Sequence, residues 1–280
     1  MSNQQSSGHS QEISRGERFA FGANWSRFLS LLDDERVAEA ERSLREMLGV
    51  TSLAGKRFLD IGSGSGLFSL AARRLGASVH SFDFDPLSVA CANELRRRYF
   101  PDDANWRVEE GSALDRAYVE SLGLFDVVYS WGVLHHTGNM WEALNNAALP
   151  IASHGTFFIS IYNDQGRPSR SWTRVKRLYN SSPKVVRGAI LVPAFALLWG
   201  PSLVRDTLVG KPFRTWGERK TTRGMDPWRD VVDWVGGYPF EVAKPEEILE
   251  FCLARGLELR HMTTCGGGLG CNEFVFHKKD

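Results

Sequence analysis

The chain has little cysteine, almost no net charge and no apolar segment near its start. Its 280 residues include four scattered cysteines, Cys91, Cys252, Cys265 and Cys271, too few for a disulfide framework. There is no Cys-x-x-Cys pair, so we expect no metal site. With a net charge of +1, the molecule as a whole has no excess of positive charge that would favour the binding of nucleic acid. The polar start has no signal-peptide pattern, so we expect a reducing, cytoplasmic location.

Short apolar runs alternate with helical patterns through the middle of the chain. We predict strands at 57–61, 78–83, 106–110, 126–130 and 155–162, with a final hairpin at 257–276. Strands alternating with helices indicate βαβ units and a parallel sheet covered on both faces. We therefore divide the chain into a disordered tail (1–15), an N-terminal helical cover (16–52), a nucleotide-type core (53–162), a helical lid or substrate insertion (163–245), and a C-terminal helix and hairpin completing the sheet (246–280).

The strongest chemical signal is a glycine-rich turn directly after the first predicted strand. Gly62, Gly64 and Gly66 stand at alternate positions, and a helix is predicted to begin at Leu67. Glycine allows a close approach of the backbone to a ligand, and the helix start presents free N–H groups. A dinucleotide fold would place its third glycine at position 67, which is leucine here. The turn therefore predicts a nucleotide-type site of another kind.

Three further segments accompany this turn in order. The second strand ends at Asp83, 17 residues past Gly66, and is followed by Phe-Asp-Pro-Leu-Ser-Val. Next comes Glu-Gly-Ser-Ala-Leu, ending at Leu114. The fourth strand is Phe125-Asp-Val-Val-Tyr-Ser-Trp-Gly-Val-Leu-His-His136. Over residues 53–162 this set resembles the motifs of class I S-adenosylmethionine-dependent methyltransferases. It is similar to the small-molecule O-methyltransferases of ubiquinone biosynthesis.

The resemblance implies an α/β fold, a Rossmann-like doubly wound sheet of seven strands with an antiparallel last strand. It also implies S-adenosyl-L-methionine as cofactor. Asp83 would bind the ribose, and Asp60 would either face the methionine end or cap local backbone. The chain departs from the family at Asp85, where serine is usual, and at Ser112, where aspartate is common. The expected cofactor residues are Asp60, Gly62, Gly64, Gly66, Asp83, Ser112, Ala113, Leu114 and Trp131.

His135 and His136 follow the fourth strand, beside the expected methyl group. Methyl transfer mainly requires that the nucleophile be aligned and its proton removed. Either histidine is a candidate for the catalytic base, and the other would fix the loop. The sequence leaves open which one faces the acceptor.

The insertion is strongly basic and also contains an uncharged run. Residues 163–223 carry 13 basic and 3 acidic side chains, and residues 163–245 hold eight of the eleven prolines. Within this stretch, residues 188–204 are uncharged, three short of a typical membrane-spanning helix. A plain lid of helices is the first interpretation. A membrane contact through 184–211 and a pocket for a lipophilic or phosphorylated acceptor are further hypotheses.

We therefore expect a methyltransferase that acts on a hydroxyl of a small-molecule or lipid-like acceptor. Nucleic acid is the second candidate partner of the basic stretch, but no RNA-binding signature accompanies it. The alternatives are RNA or protein methylation, a different reaction of the same cofactor, and a non-catalytic cofactor-binding scaffold.

Overall fold

The computed structural model describes residues 2–22, 25, 29, 32–215 and 227–279. The first helix is α1 (Ser2–Ser14), and α2 (Asp34–Leu48) follows. The side chain of Asp33 accepts a hydrogen bond from Arg36 N at 2.9 Å and begins α2. Gly49, at φ 65°, ends it. Parts of the predicted N-terminal cover (23, 24, 26–28, 30 and 31) and of the insertion (216–226) lie outside the described residues.

The central sheet has the strand order β3-β2-β1-β4-β5-β7-β6. Its strands are β1 (Arg57–Ile61), β2 (Ser78–Asp83), β3 (Trp106–Glu110), β4 (Phe125–Trp131), β5 (Ile151–Tyr162), β6 (Leu257–Thr263) and β7 (Cys271–Lys278). The first five pair in parallel, and β7 runs antiparallel to both β5 and β6. This confirms the predicted seven-stranded sheet with an antiparallel last strand.

The helices cover the two faces of the sheet. They are α3 (Leu67–Arg74), α4 (Pro86–Tyr99), α5 (Arg116–Ser121), α6 (Met140–Ala147) and, after the insertion, α10 (Pro245–Leu253). Successive residues of β5 serve opposite faces: Phe157 packs with the α5, α6 and α10 side, and Phe158 with the α2–α4 side. Burial of one such aromatic side chain contributes about 1.5–3 kcal/mol. The strands are thus fixed from both sides, and their carboxyl ends meet at one edge.

The insertion contains α7 (Arg167–Ser181), α8 (Lys184–Leu208) and α9 (Pro227–Gly236). These helices share a small core of their own that includes Tyr179, Leu191, Trp199, Val231 and Val235. Pro193 and Pro201 lie within the continuous helix α8. Among the described helices, α8 alone is long and apolar enough to cross a membrane by length and composition, and 17% of its most apolar window is buried.

Residues 2–14 form helix α1, within the stretch that the sequence analysis expects to be a disordered tail (1–15). The physical reason lies in contacts beyond the helix. His9 is buried, with its ring 5.4 Å from that of Phe84 and its Nε2 3.6 Å from an oxygen of Asp85. A polar sequence that could not form a core alone is therefore held by the domain behind it.

Candidate functional site

The glycine-rich turn joins β1 to α3 at the carboxyl edge of the sheet. The N–H groups of Gly62 and Ser63 both donate to Phe82 O, at 2.8 and 3.1 Å, which ties the turn to β2. A Cβ atom on Gly62 would clash with the side chain of Val133 in the loop after β4. One on Gly66 would lie 2.8 Å from Ala92 Cα in α4. These two glycines are therefore required by packing within the protein.

Gly64 differs from the other two glycines because the atoms nearest to an added Cβ belong to the N-terminal segment. Its φ is 54°, and an added Cβ would lie 3.1 Å from the indole of Trp25 in the N-terminal segment. Its N–H donates to Asp83 Oδ2 at 2.8 Å. The hydroxyl of the neighbouring Ser63 is buried without a hydrogen-bond partner among the described residues. Beneath the N-terminal segment, the turn thus has a residue without a side chain, Gly64, and a buried hydroxyl, that of Ser63, without a hydrogen bond in the described part of the chain.

Asp83 ends β2, as the sequence predicted, beside this turn. Each carboxylate oxygen accepts one backbone hydrogen bond, from Gly64 N at 2.8 Å and from Asp85 N at 2.9 Å. Burial raises the pKa of Asp83 to about 6, against the lowering effect of these two bonds. Each oxygen retains acceptor capacity, so the carboxylate can still accept hydrogen bonds from two hydroxyl groups.

Asp85 begins α4, accepting a hydrogen bond from Leu87 N at 2.9 Å, as the Asp-Pro sequence indicates. It also accepts one from Gly22 N at 2.7 Å, which the sequence did not reveal. Arg18 adds a second tie, because its Nη1 donates to His136 O at 2.9 Å. The N-terminal segment therefore crosses the site from the end of β2 to the histidine loop.

Asp60 belongs to a buried polar network under the turn. It accepts a hydrogen bond from the Ser69 hydroxyl, which also lies 2.7 Å from the Ser81 hydroxyl. The indole of Trp106 donates to Ser81 at 3.0 Å. Burial raises the pKa of Asp60 to about 7. The described partner of Asp60 is thus a side chain of α3, and its predicted contact with the cofactor stays a prediction.

The loop after β3 contains the residues expected at the adenine. Ser112 Oγ accepts a hydrogen bond from Leu114 N at 3.2 Å, forming a local turn. The buried amide of Asn146 donates to Ala113 O at 3.0 Å and fixes the loop against α6. Ala113 is buried, whereas Leu114 is partly exposed at the edge of the sheet. Asn146 gave no sequence signal, because it stands within an ordinary helical pattern.

His135 and His136 lie in a 3₁₀ turn (Leu134–His136) after β4. His136 Nδ1 is 2.6 Å from Pro239 O, and a carbonyl can only accept, so Nδ1 carries the proton. This tautomer leaves a lone pair on Nε2. His135 is fully buried, and its Nδ1 accepts a hydrogen bond from Tyr162 N at 3.4 Å. The two imidazoles therefore have different hydrogen-bonding roles.

Both histidines are neutral at neutral pH. Burial lowers the pKa of His136 to about 3, assisted by the charges of Lys176 and Arg18, while the bond to Pro239 opposes the shift. Burial also holds the pKa of His135 well below its usual range, with smaller contributions from His136 and Lys176. A neutral imidazole has a lone pair that can accept a hydrogen bond or a proton from a hydroxyl group.

Trp131 ends β4 at the rim of the site. Its side chain is 45% exposed, and its indole N–H donates to Glu273 Oε1 at 2.7 Å. This hydrogen bond links the end of β4 to β7. The structure brings Trp131 to the same sheet edge as the turn and the histidines, and its predicted cofactor contact stays a prediction.

Comparisons with known proteins agree with this geometry. A family model described as a methyltransferase domain matches residues 33–188, more than half of the chain. The chain belongs to the methyltransferase-domain family. It is also 31% identical over 122 residues to the ubiquinone biosynthesis O-methyltransferase of Escherichia coli (strain K12 / DH10B), covering 43% of this chain and 47% of that protein. The match thus spans about half the length of the curated relatives.

Solved structures show the same fold. Magnesium protoporphyrin IX methyltransferase from Synechocystis PCC 6803, with bound SAH, has a TM-score of 0.55 at 14% identity, covering 96% of this chain and all of that one. An O-methyltransferase family protein from Burkholderia thailandensis has a TM-score of 0.55 at 15% identity, covering 96% and 67% of the two chains. This methyltransferase therefore has the class I fold that its motifs predicted.

The residues at the sheet edge of this methyltransferase fit S-adenosylmethionine. The unpartnered hydroxyl of Ser63 and the bare backbone of Gly64 would face the nucleoside. Asp83 would accept hydrogen bonds from the two ribose hydroxyls, and Ala113 and Leu114 would border the adenine. No group of three or more metal-ligating side chains occurs in the parts of the chain described here.

We predict that Asp83→Ala weakens the binding of S-adenosylmethionine roughly 10- to 100-fold, because the ribose loses hydrogen bonds to a charged acceptor. Isothermal titration calorimetry measures this affinity. Asp126→Asn is the matched control, because Asp126 pairs with Lys56 at 3.1 Å near the start of β4. Equal affinity of Asp83→Ala and the control would remove the ribose role.

The pKa of His136 predicts a dependence of stability on pH. Between the ordinary value of 6.5 and about 3, the unfolded chain takes up a proton that folded His136 does not. As the pH decreases below 6.5, the contribution of His136 to the free energy of unfolding therefore decreases by about 1.4 kcal/mol per pH unit. His136→Asn retains a donor for Pro239 O and removes the titrating ring. Urea unfolding at pH 7 and pH 5 should show a smaller decrease for this variant than for the wild type, and equal decreases would contradict the assignment.

Proposed function

We propose that this methyltransferase transfers a methyl group from S-adenosylmethionine to a hydroxyl oxygen of a small or lipid-like acceptor. The arrangement of His136 carries the proposal: a neutral imidazole, oriented by Pro239 O, with its Nε2 lone pair available at the carboxyl end of β4. The sulfonium of the cofactor supplies the methyl group and a neutral leaving group. The names of the curated O-methyltransferase relatives support oxygen as the accepting atom.

His136 acts as the general base in this proposal. Its Nε2 takes the hydroxyl proton while the bond from Nδ1 to Pro239 O keeps the ring in place. The ring of Phe21 packs at 4.9 Å and the buried surroundings exclude water. His135 is an orienting residue, because its ring packs at 4.1 Å from that of Tyr162, tilted by 44°, and is fully buried.

Contact with a membrane is the second element of the proposal. On one face of α8, Leu197, Val204 and Leu208 are between 60% and 83% exposed. Surface helices normally present polar residues there, and a continuous apolar stripe marks an interaction surface. The flanking basic residues are Lys184, Arg187, Arg205 and Lys211. Each basic residue near an anionic bilayer contributes about 1 kcal/mol.

We also propose that the enzyme is cytoplasmic and bound peripherally to an anionic membrane through this surface. Few, scattered cysteines are typical of a reducing compartment, and Cys91 and Cys252 are buried. A lipid-like acceptor could then reach the insertion from the bilayer. The apolar stripe and its basic flanks support this location.

We predict that His136→Asn lowers turnover roughly 10²–10⁴-fold, because the Nε2 base is lost while the bond to Pro239 O is retained. The affinity for S-adenosylmethionine should change little. The assay uses labelled methyl groups, with a cell extract as the acceptor source and mass analysis of the product. His261→Asn, on the exposed part of β6, is the matched control. Wild-type turnover in the His136 variant would exclude it as the base.

The membrane proposal predicts sedimentation with vesicles. Wild-type protein should bind phosphatidylcholine vesicles that contain phosphatidylglycerol, and bind more weakly at high salt because the attraction is screened. The double variant Leu197→Asp, Val204→Asp should lose this binding. Leu124→Asp, at an exposed site just before β4, should not. Failure of the wild type to sediment with anionic vesicles would end the membrane proposal.

A further inference from the structure

A lysine of the insertion is completely buried beside the histidine pair. Lys176, on α7, donates from Nζ to Trp234 O, and Nζ lies 4.4 Å from the ring centre of Trp234 and 4.6 Å from that of Phe240. No carboxylate forms an ion pair with it in the described structure, although the charge of Asp233 acts on it from farther away. Burial lowers the pKa of Lys176 to about 7. A buried cation is costly unless an anion accompanies it.

Further polar groups around this lysine are also unsatisfied. Trp234 Nε1 and Ser160 Oγ are buried without hydrogen-bond partners among the described residues. His135, next to them, has a hydrogen bond with the backbone of Ser160. The indole N–H of Trp234 and the hydroxyl of Ser160 can therefore both donate to a further acceptor. Buried donors without acceptors are rare in folded proteins and call for an explanation.

These groups belong to one cluster. The ring of Tyr162 lies 4.1 Å from that of His135 and 5.4 Å from that of Trp234. Ser160 precedes Tyr162 by two positions on β5, so both side chains lie on the same face of the sheet. The His135 and His136 rings are 4.5 Å apart. The cluster thus lies between the insertion and the ends of β4 and β5, next to the proposed base.

We propose that this cluster is a subsite for a carboxylate of the methyl acceptor, with Lys176 as its counter-charge and Trp234 Nε1 and Ser160 Oγ as hydrogen-bond donors. One cation with neutral donors suits a singly charged anion better than a phosphate, whose charge is near −2. The aromatic rings of Trp234 and Phe240 stabilise the ammonium while no anion is bound. The identity of the ligand as the acceptor rests on the proposed function.

The test compares an anionic probe with a neutral probe of the same shape. Benzoate and benzyl alcohol are titrated into the full-length protein saturated with S-adenosylhomocysteine. We expect wild type to bind benzoate at least tenfold more tightly than benzyl alcohol. Lys176→Met should remove this preference and leave benzyl alcohol binding within twofold. Lys56→Met, an exposed lysine paired with Asp126, should behave as wild type.

A second variant keeps the proposal testable if Lys176→Met does not fold. Trp234→Phe retains an aromatic ring and removes the Nε1 donor, and it should weaken benzoate binding about threefold without affecting benzyl alcohol. Equal benzoate affinity in wild type and Lys176→Met, or no benzoate preference in wild type up to about 10 mM, would overturn the subsite. Titration of S-adenosylmethionine into the same samples reports separately on the proposed function: retained cofactor binding without anion preference rejects the subsite alone.

Discussion

The contact between Gly62 and Val133 sets the geometry of the whole site. Because Gly62 has no side chain, the loop after β4 packs directly on the glycine-rich turn. That loop continues into the 3₁₀ turn that carries His135 and His136. The glycine-rich turn and the histidine loop are therefore packed directly together, beside the hydrogen bond that Ser130 Oγ donates to Ile61 O at 3.0 Å. A larger residue at position 62 would separate the two sides.

Burial determines the charge state of this crevice. The same loss of hydration raises the pKa of Asp83, lowers that of His136 and lowers that of Lys176. Each shift moves a side chain toward its neutral form, as expected where water is excluded. A cationic cofactor and the proposed anionic acceptor would compensate each other's charge in this buried region. Such a site favours the simultaneous presence of both.

The sequence predicts the sheet and the turn well because both depend on local patterns. Strand bounds such as Ser78–Asp83 follow from apolar runs, and the Asp85 cap from an Asp-Pro pair. Two hydrogen bonds, from Gly22 N to Asp85 and from His136 to Pro239 O, join residues far apart in the chain. Each uses a backbone group, which every residue has, so the sequence contains no signal for it. The burial of Lys176 could not be predicted for another reason. A lysine in a basic helix has the same sequence pattern whether it is buried or exposed.

The insertion supplies the carbonyl that orients the histidine ring, and this has an evolutionary consequence. Pro239 follows α9 and belongs to the insertion, and segments of this kind commonly carry binding residues. Glu241, two residues later, accepts hydrogen bonds from Gly138 and Met140 N and so anchors the loop that follows the histidines. Transplanting another lid onto this core would therefore replace the support of the histidine together with the specificity surface. The insertion and the histidine loop can therefore be exchanged only together.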